Sequence, residues 1–103
     1  MKLTVLERLV LLQNLPQEGS FVTLKILRSL KSNLALSEVE YKDFEVKQNG
    51  EQIVWNKKGE EEKEIEIGEK ATDMAIIALK ELNDNKKLTE QHFSLYEKFI
   101  EGA

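Results

Sequence analysis

The chain has 103 residues, a net charge of −4 and no cysteine. With 41% hydrophobic residues it can bury the core of a single domain over residues 1–103, and its length leaves no room for a second one. Without cysteine the sequence excludes disulfides, thiolate metal ligands and cysteine nucleophiles, and the acidic balance opposes general attraction to nucleic acid.

The N-terminal third predicts two helices. Thr4-Val5-Leu6-Glu7 has the form of a capping box and predicts a helix over residues 5–14. This helix has more apolar residues than one buried face needs, so we expect it to lie at the centre of the core or in an oligomer contact. Glu7 and Arg8 interrupt its apolar run, as is typical of a core helix and not of a signal peptide.

Ser20 predicts the cap of a second helix over residues 21–32. Its spacing predicts an inward, apolar side and a basic set on another side. The inward set is Phe21, Leu24, Leu27 and Leu30, and the basic set is Lys25, Arg28 and Lys31. A second capping box, Ser37 to Glu40, predicts a short third helix that ends near Asp43.

A β-hairpin is predicted over residues 44–55, because Asn49-Gly50 is the preferred pair for a type I′ turn. In that register Val46 faces Ile53 and Phe44 faces Trp55, which gives the hairpin one apolar side. Such a hairpin is not stable alone in water, so we expect its apolar side to cover a helical core.

The C-terminal half predicts one strand and two helices. After a charged loop, residues 63–67 alternate with period two and predict a third strand beside the hairpin. Gly68 precedes a helix over about residues 69–83, and Thr89 caps a last helix. Its predicted inward side is Phe93, Tyr96, Phe99 and Ile100. The order is three helices, a three-stranded antiparallel sheet and two helices, an α+β fold.

No residue pattern identifies a catalytic, cofactor or metal site, so the sequence predicts a protein that is not an enzyme and has no cofactor. His92, the only histidine, has no orienting carboxylate on its own helix face, and we interpret it as a surface or cap-region residue. The glycines are isolated and form no phosphate-binding loop. No apolar segment approaches the roughly 20 residues that span a bilayer, and a cytoplasmic protein is expected.

Two charged groups are candidate contact surfaces. An acidic tract could meet a basic partner, although most such runs are solvated faces; its members are Glu60, Glu61, Glu62, Glu64 and Glu66. The basic stripe Lys25, Arg28 and Lys31, joined by Lys57 and Lys58, could contact nucleic acid or a partner protein, with an ordinary solvated helix side as the alternative.

Three helices before a hairpin also match the topology of a winged helix, in which a helix enters the major groove. The helix just before the hairpin carries Glu38, Glu40 and Asp43 against Lys42 alone, so phosphates would repel it. A winged-helix-like regulator would therefore bind DNA through the basic stripe of the second helix.

Four segments of this chain carry a resemblance to known proteins: residues 18–26, 67–73, 88–90 and 95–99. They resemble small uncharacterised proteins of tailed bacteriophages and prophages. The resemblance implies a phage or prophage origin and a bacterial host cell, and it brings no active-site residues.

The leading hypothesis is a non-enzymatic protein that acts by binding another protein and that self-associates. It depends on the missing catalytic groups, on the acidic tract, and on surplus apolar surface at Val5, Leu11, Ile76 and Ile77. The winged-helix-like DNA-binding regulator is the second hypothesis.

Overall fold

The computed structural model describes residues 1–102 and has the α+β class that the sequence predicts. Helices α1 (Val5–Asn14), α2 (Phe21–Leu34) and α3 (Glu38–Asp43) come first, and α4 (Glu69–Asp84) and α5 (Glu90–Tyr96) come last. The remaining elements are the strands β1 (Lys2–Leu3), β2 (Lys47–Asn49), β3 (Gln52–Val54) and β4 (Lys63–Glu64), a 3-10 turn (Lys57–Glu60) and a π-helical turn (Glu97–Glu101).

The first three helices begin at the predicted caps. Thr4 Oγ1 accepts a bond from the Glu7 amide at 3.2 Å, while Glu7 Oε1 accepts one from the Thr4 amide at 2.9 Å. Ser37 and Glu40 make the same reciprocal pair at 3.1 and 3.0 Å, and Ser20 Oγ accepts from the Thr23 amide. Each bond satisfies a backbone donor that a helix start leaves unpaired, so these local patterns suffice to predict where the helices begin.

The core is one cluster to which the long helices each contribute a stripe. Val5 and Leu11, predicted as surplus surface, are 2% and 0% exposed, and that prediction is wrong. The reason is that α1 packs against α2, α4, α5 and the 3-10 turn, so little of its circumference is left uncovered. Ile76 is half-buried, and Ile77 stays 59% exposed. The cluster comprises Leu3, Val10, Leu11, Leu15, Leu27, Leu30, Leu34, Ile65, Ala71, Ala75, Leu79, Leu95 and Phe99.

The predicted three-stranded sheet is wrong, because residues 63–64 do not pair with the hairpin. They form β4, which runs antiparallel to β1 with Leu3 opposite Lys63. The Ile65 amide donates to the Met1 carbonyl at 2.8 Å, and the Met1 ammonium donates to the Ile65 carbonyl at 3.0 Å. This pairing buries Leu3 and Ile65 in the core. A two-residue strand at the N-terminus has no readable period, so the sequence did not reveal it.

The hairpin exists, but its predicted register is wrong. Gln48 faces Ile53 and Asn49 faces Gln52, so the two-residue loop is Gly50-Glu51 and Asn49 belongs to the strand. Gly50 has a φ of +67°, the sign that a type II′ turn requires at its first central position. A single glycine therefore supplies the left-handed residue. The turn lies one residue later than predicted, so the partner of Ile53 is Gln48 and not Val46, two positions along the strand.

The hairpin does not cover the helical core. All residues of β2 and β3 are exposed, while Val46 and Trp55, at the base of the hairpin, are half-buried. A Cβ on Gly59 would lie 2.6 Å from Trp55 Cδ1 and 3.2 Å from Val5 Cγ2, so the 3-10 turn packs closely on Trp55 and α1. Phe44 is the C-cap of α3 and has helical φ and ψ, so it does not extend the strand. The hairpin is thus attached at its base.

A buried ion pair joins α1 to α3. Arg8 is 2% exposed and binds the Glu40 carboxylate with two nitrogens at 2.6 and 3.1 Å. Its guanidinium also donates to the carbonyls of Leu34 at 2.9 Å and Ala35 at 2.8 Å. The hydrogen bond from Arg8 lowers the pKa of Glu40 to about 2, although burial of the carboxyl acts in the opposite direction.

A second charged cluster ties the C-terminal segment to the N-terminus. Lys98 Nζ donates to Glu7 at 2.6 Å, to the Lys2 carbonyl at 2.9 Å and to Glu62. Burial opposes the charge on Glu7, but the hydrogen bonds from Lys98 and the Thr4 amide outweigh it and lower the pKa of Glu7. Burial likewise opposes the charge on Lys98, and the bonds to Glu62 and Glu7 raise its pKa.

Replacing Arg8 with methionine should lower the free energy of unfolding by about 3 kcal/mol. The substitution removes the closer cation from the buried Glu40 carboxylate and leaves only the exposed Lys63, whose Nζ lies 3.5 Å from Glu40 Oε2. The double variant Arg8→Met with Glu40→Leu should recover much of that loss. Urea unfolding followed by circular dichroism measures both. Arg28→Met, at an exposed arginine, is the matched control and should change stability by no more than about 0.5 kcal/mol. Equal effects of the two methionine substitutions would contradict the assignment.

The Glu40 pair also predicts a pH dependence. Its folded pKa of about 2 lies below the ordinary value of 4.5, so the stabilisation is complete above pH 4.5 and is lost as the pH falls toward 2. We expect the free energy of unfolding to fall less steeply across this window in Glu40→Gln than in the wild type. The pKa of Glu7 is also lowered, so the free energy of unfolding of the Glu40→Gln variant still depends on pH in this range. Identical slopes in urea titrations of the two proteins would refute this role of Glu40.

Candidate functional site on the second helix

Helix α2 turns two of its predicted core residues toward solvent. Phe21 is 75% exposed and Leu24 is 43% exposed, so their predicted inward position is wrong. A step of three residues turns about 300°, roughly 60° short of a full circle, so Phe21 lies about 180° away from Leu30. The buried stripe of the helix is Leu27, Leu30 and Leu34, whose spacing of three and four keeps them on one side.

The basic stripe shares this outward side of the helix with the two apolar residues. We call Phe21, Leu24, Lys25, Arg28 and Lys31 the α2 face. They line a groove of about 760 Å³ together with Leu27, Ser29 and Ser32. Lys25 Nζ lies 5.6 Å from the centroid of the Phe21 ring, in range of a cation–π contact. Within residues 1–102, none of the three cations of the α2 face forms an ion pair.

A second groove, of about 480 Å³, runs along the other side of Lys25, between α2 and the start of α4. Lys25 and Ser29 line both grooves, and Glu66 and Glu69 line only this one. The α2 face therefore has its apolar residues at the N-terminal end of the helix and its cations further along it. Beside it lies a groove that Glu66 and Glu69 line.

Lys57 and Lys58, predicted to join the basic stripe, lie in a different part of the fold. Both are in the 3-10 turn, which packs against α1, and neither lines the groove of the α2 face. They are exposed. The structure thus groups Lys25, Arg28 and Lys31 on α2 and separates them from this pair.

The acidic tract does not form one uniform surface. Glu62 binds Lys98, and Glu64 lies 3.0 Å from the Met1 ammonium. Glu66 lines the groove between α2 and α4, while Glu60 and Glu61 are exposed in and beside the 3-10 turn. Two of the five predicted carboxylates are therefore neutralised within the chain, which weakens the tract as a partner surface.

His92 has a structural position at the start of α5. It is only 9% exposed, so it is the cap-region residue of the two alternatives and not a surface one. Its Nδ1 accepts a bond from the Thr89 amide at 3.0 Å, and its Nε2 lies 3.1 Å from Asn14 Nδ2. Phe93, predicted to face inward, is 62% exposed. The buried residues of this segment are His92, Leu95 and Phe99, which share one side of the helix, and Phe93 lies off that side. Across residues 1–102, no group of three or more histidine, aspartate or glutamate side chains is arranged to hold a metal ion.

Comparison with known proteins gives no relative, since no family model, curated protein or solved structure matches this chain. The candidate site is therefore assigned from its geometry. In the part of the chain that the structure describes, no helix combines the length and the apolar content needed to cross a bilayer.

If the α2 face is free surface, its apolar residues contribute little to folding. In the double variant Phe21→Ser with Leu24→Ser, we expect each substitution to change the free energy of unfolding by no more than about 0.5 kcal/mol. Leu27→Ala, one turn away on the buried side, should cost about 2 to 5 kcal/mol. Urea unfolding of the three proteins tests this contrast, and a large loss in the serine variant would place Phe21 and Leu24 in the core.

Proposed function

We propose that this chain is a non-enzymatic protein that acts by binding another protein through the α2 face, and that it also self-associates. The observation that carries the proposal is the exposure of Phe21, at 75%, beside Leu24 and three cations. Aromatic and arginine side chains are enriched in protein interfaces and contribute a large share of binding energy there. An apolar centre with a charged edge is the composition of such a contact.

Self-association has a different basis from the one that the sequence suggested. Val5 and Leu11 are buried, and the argument moves to Phe21 and Leu24, which share one groove on α2. Other exposed apolar residues do not line that groove, among them Val22, Val39, Ile77 and Phe93. A contiguous exposed apolar patch favours an interface more than scattered single residues do. This argument supports the α2 face over α1.

A DNA-binding regulator of winged-helix type is the second candidate. It is favoured by the three cations of α2, which share one side and have no carboxylate partner within residues 1–102. Against it, α3 carries Glu38 and Asp43 just before the hairpin, and the net charge of the chain is −4. Three cations give weak, salt-sensitive attraction to phosphates.

The proposal includes a phage or prophage origin and the cytoplasm of a bacterial host. Its support is the resemblance of residues 18–26 and 67–73 to small proteins of tailed bacteriophages. A partner protein from the phage or its host follows from that origin.

The proposed function predicts that a partner will depend on the apolar residues of the α2 face. Proteins cross-linked to the wild type in a bacterial lysate would be identified by mass spectrometry, purified and titrated by calorimetry. We expect Phe21→Ser with Leu24→Ser to weaken the binding by about 30-fold or more, because it removes the apolar centre.

Phe93→Ser is the matched control, since Phe93 is 62% exposed on α5 and does not line the α2 groove. It should bind like the wild type. Equal affinity of all three proteins would contradict the proposal. Tight binding of duplex DNA that is lost when Lys25, Arg28 and Lys31 are changed to glutamate would favour the regulator instead.

A further inference from the structure

We infer that Asn49 is a site of spontaneous covalent modification, at which water converts the side-chain amide to a carboxylate. The Gly50 amide nitrogen gives its proton to base in the solvent and forms a bond to Asn49 Cγ. The bond from Cγ to the side-chain nitrogen breaks, ammonia leaves, and a five-membered succinimide ring remains. Water then opens the ring at either carbonyl and gives aspartate or isoaspartate, in which the main chain runs through Cγ. One water is taken up and one ammonia is released.

The residue that follows Asn49 favours this reaction. Of the six asparagines in the chain, Asn49 alone precedes a glycine, and the others precede leucine, lysine or aspartate. A side chain beside the attacking nitrogen hinders its approach, and glycine has none. A Cβ on Gly50 would have no atom of a non-neighbouring residue within 4 Å, so the space around this nitrogen is open.

The tip of the hairpin gives water access to the reacting groups. Asn49 is exposed and is the last residue of β2, while Gly50 and Glu51 are exposed in the loop. Because β2 ends at Asn49, the Gly50 amide lies outside the ladder of paired residues. The attacking nitrogen is therefore not held by the strand pairing, and the ring is open to hydrolysis.

The other asparagines are held by hydrogen bonds that oppose ring closure. Asn14, Asn33 and Asn56 each donate a side-chain hydrogen bond to a main-chain carbonyl. Asn83 lies within α4, and the amide that follows Asn85 donates to the Asn83 carbonyl at 3.0 Å. The structure thus adds to the selectivity that the sequence gives to Asn49.

Ring closure requires the hairpin to open at its tip. The ring closes only after rotation about the Asn49 Cα–C bond, and the pairing of Asn49 with Gln52 holds that bond extended. All residues of β2 and β3 are exposed, and a two-stranded hairpin is at best marginally stable in water. Segments with few buried contacts open at low cost. The rate of modification therefore reports how often this hairpin opens.

The products change the hairpin and leave the α2 face unchanged. Each product adds a carboxylate next to the loop residue Glu51 and one negative charge to the chain. Isoaspartate also inserts a methylene into the main chain, so Gln48 and Ile53 no longer keep their register. No hairpin residue lines the α2 groove, so the surface of the proposed function is retained.

Mass spectrometry of the folded chain after incubation tests the site. Trypsin releases residues 48–57 as one peptide, which contains both Asn49 and Asn56. We expect Asn49 to be converted at least about ten-fold faster than Asn56. The rate should rise with pH, because the attacking nitrogen must lose its proton. Electron-transfer fragmentation separates isoaspartate from aspartate.

Asn49→Gln is the control, since its longer side chain closes a ring less readily, and it should gain no mass at this position. A synthetic peptide of residues 48–57 provides the rate without a fold. Faster conversion of any other asparagine overturns the inference. So does an unmodified Asn49 in the protein once the peptide has reacted completely.

A disulfide across the hairpin tests the opening step. Gln48 and Ile53 lie directly opposite each other, at a separation that a disulfide spans, and the chain has no cysteine of its own. In Gln48→Cys with Ile53→Cys, the oxidised protein should react about three-fold or more slowly than the same protein reduced. Equal rates of the two forms overturn the requirement for opening.

Discussion

The fold depends on one buried guanidinium. Arg8 projects from α1, the helix that contacts most of the others, and donates to the two carbonyls where α2 ends and to the carboxylate in the first turn of α3. A cation beside the last carbonyls of a helix also interacts favourably with the helix dipole. Because the donors of an arginine have a fixed planar arrangement, this contact sets the relative position of three helices at a single point.

That position determines which side of α2 is exposed. The Leu34 carbonyl is held by Arg8 at the C-terminal end, and the leucine stripe of α2 faces the core. Because the C-terminal end and the inward side of α2 are both fixed, the helix cannot rotate about its axis to bury Phe21. The exposed groove is therefore a consequence of how the helix is anchored, and Phe21, Leu24 and the three cations of the α2 face are exposed without any loss from the core.

Local patterns predicted the parts of this fold that depend on neighbouring residues. The starts of α1, α2 and α3 follow from side chains within three residues of each cap, and they were predicted correctly. The partner of β4 is about 60 residues away in sequence, and nothing in a two-residue strand identifies it. The ion pair of Arg8 with Glu40 is also long-range. The only local sign of it was a charged pair, Glu7-Arg8, inside an otherwise apolar helix.

The sequence predicted the basic residues of the candidate site but not its apolar ones, and the reason is the spacing of the apolar residues. The basic stripe was evident, but the apolar residues beside it were assigned to the core because Phe21, Leu24, Leu27 and Leu30 recur every three positions. A strict period of three drifts around a helix by roughly 60° per step, so four such residues cover about half of its circumference. A single core contact covers a narrower stripe. A helix with this spacing therefore has apolar residues in the core at one end and exposed apolar residues at the other, which is the arrangement that α2 shows.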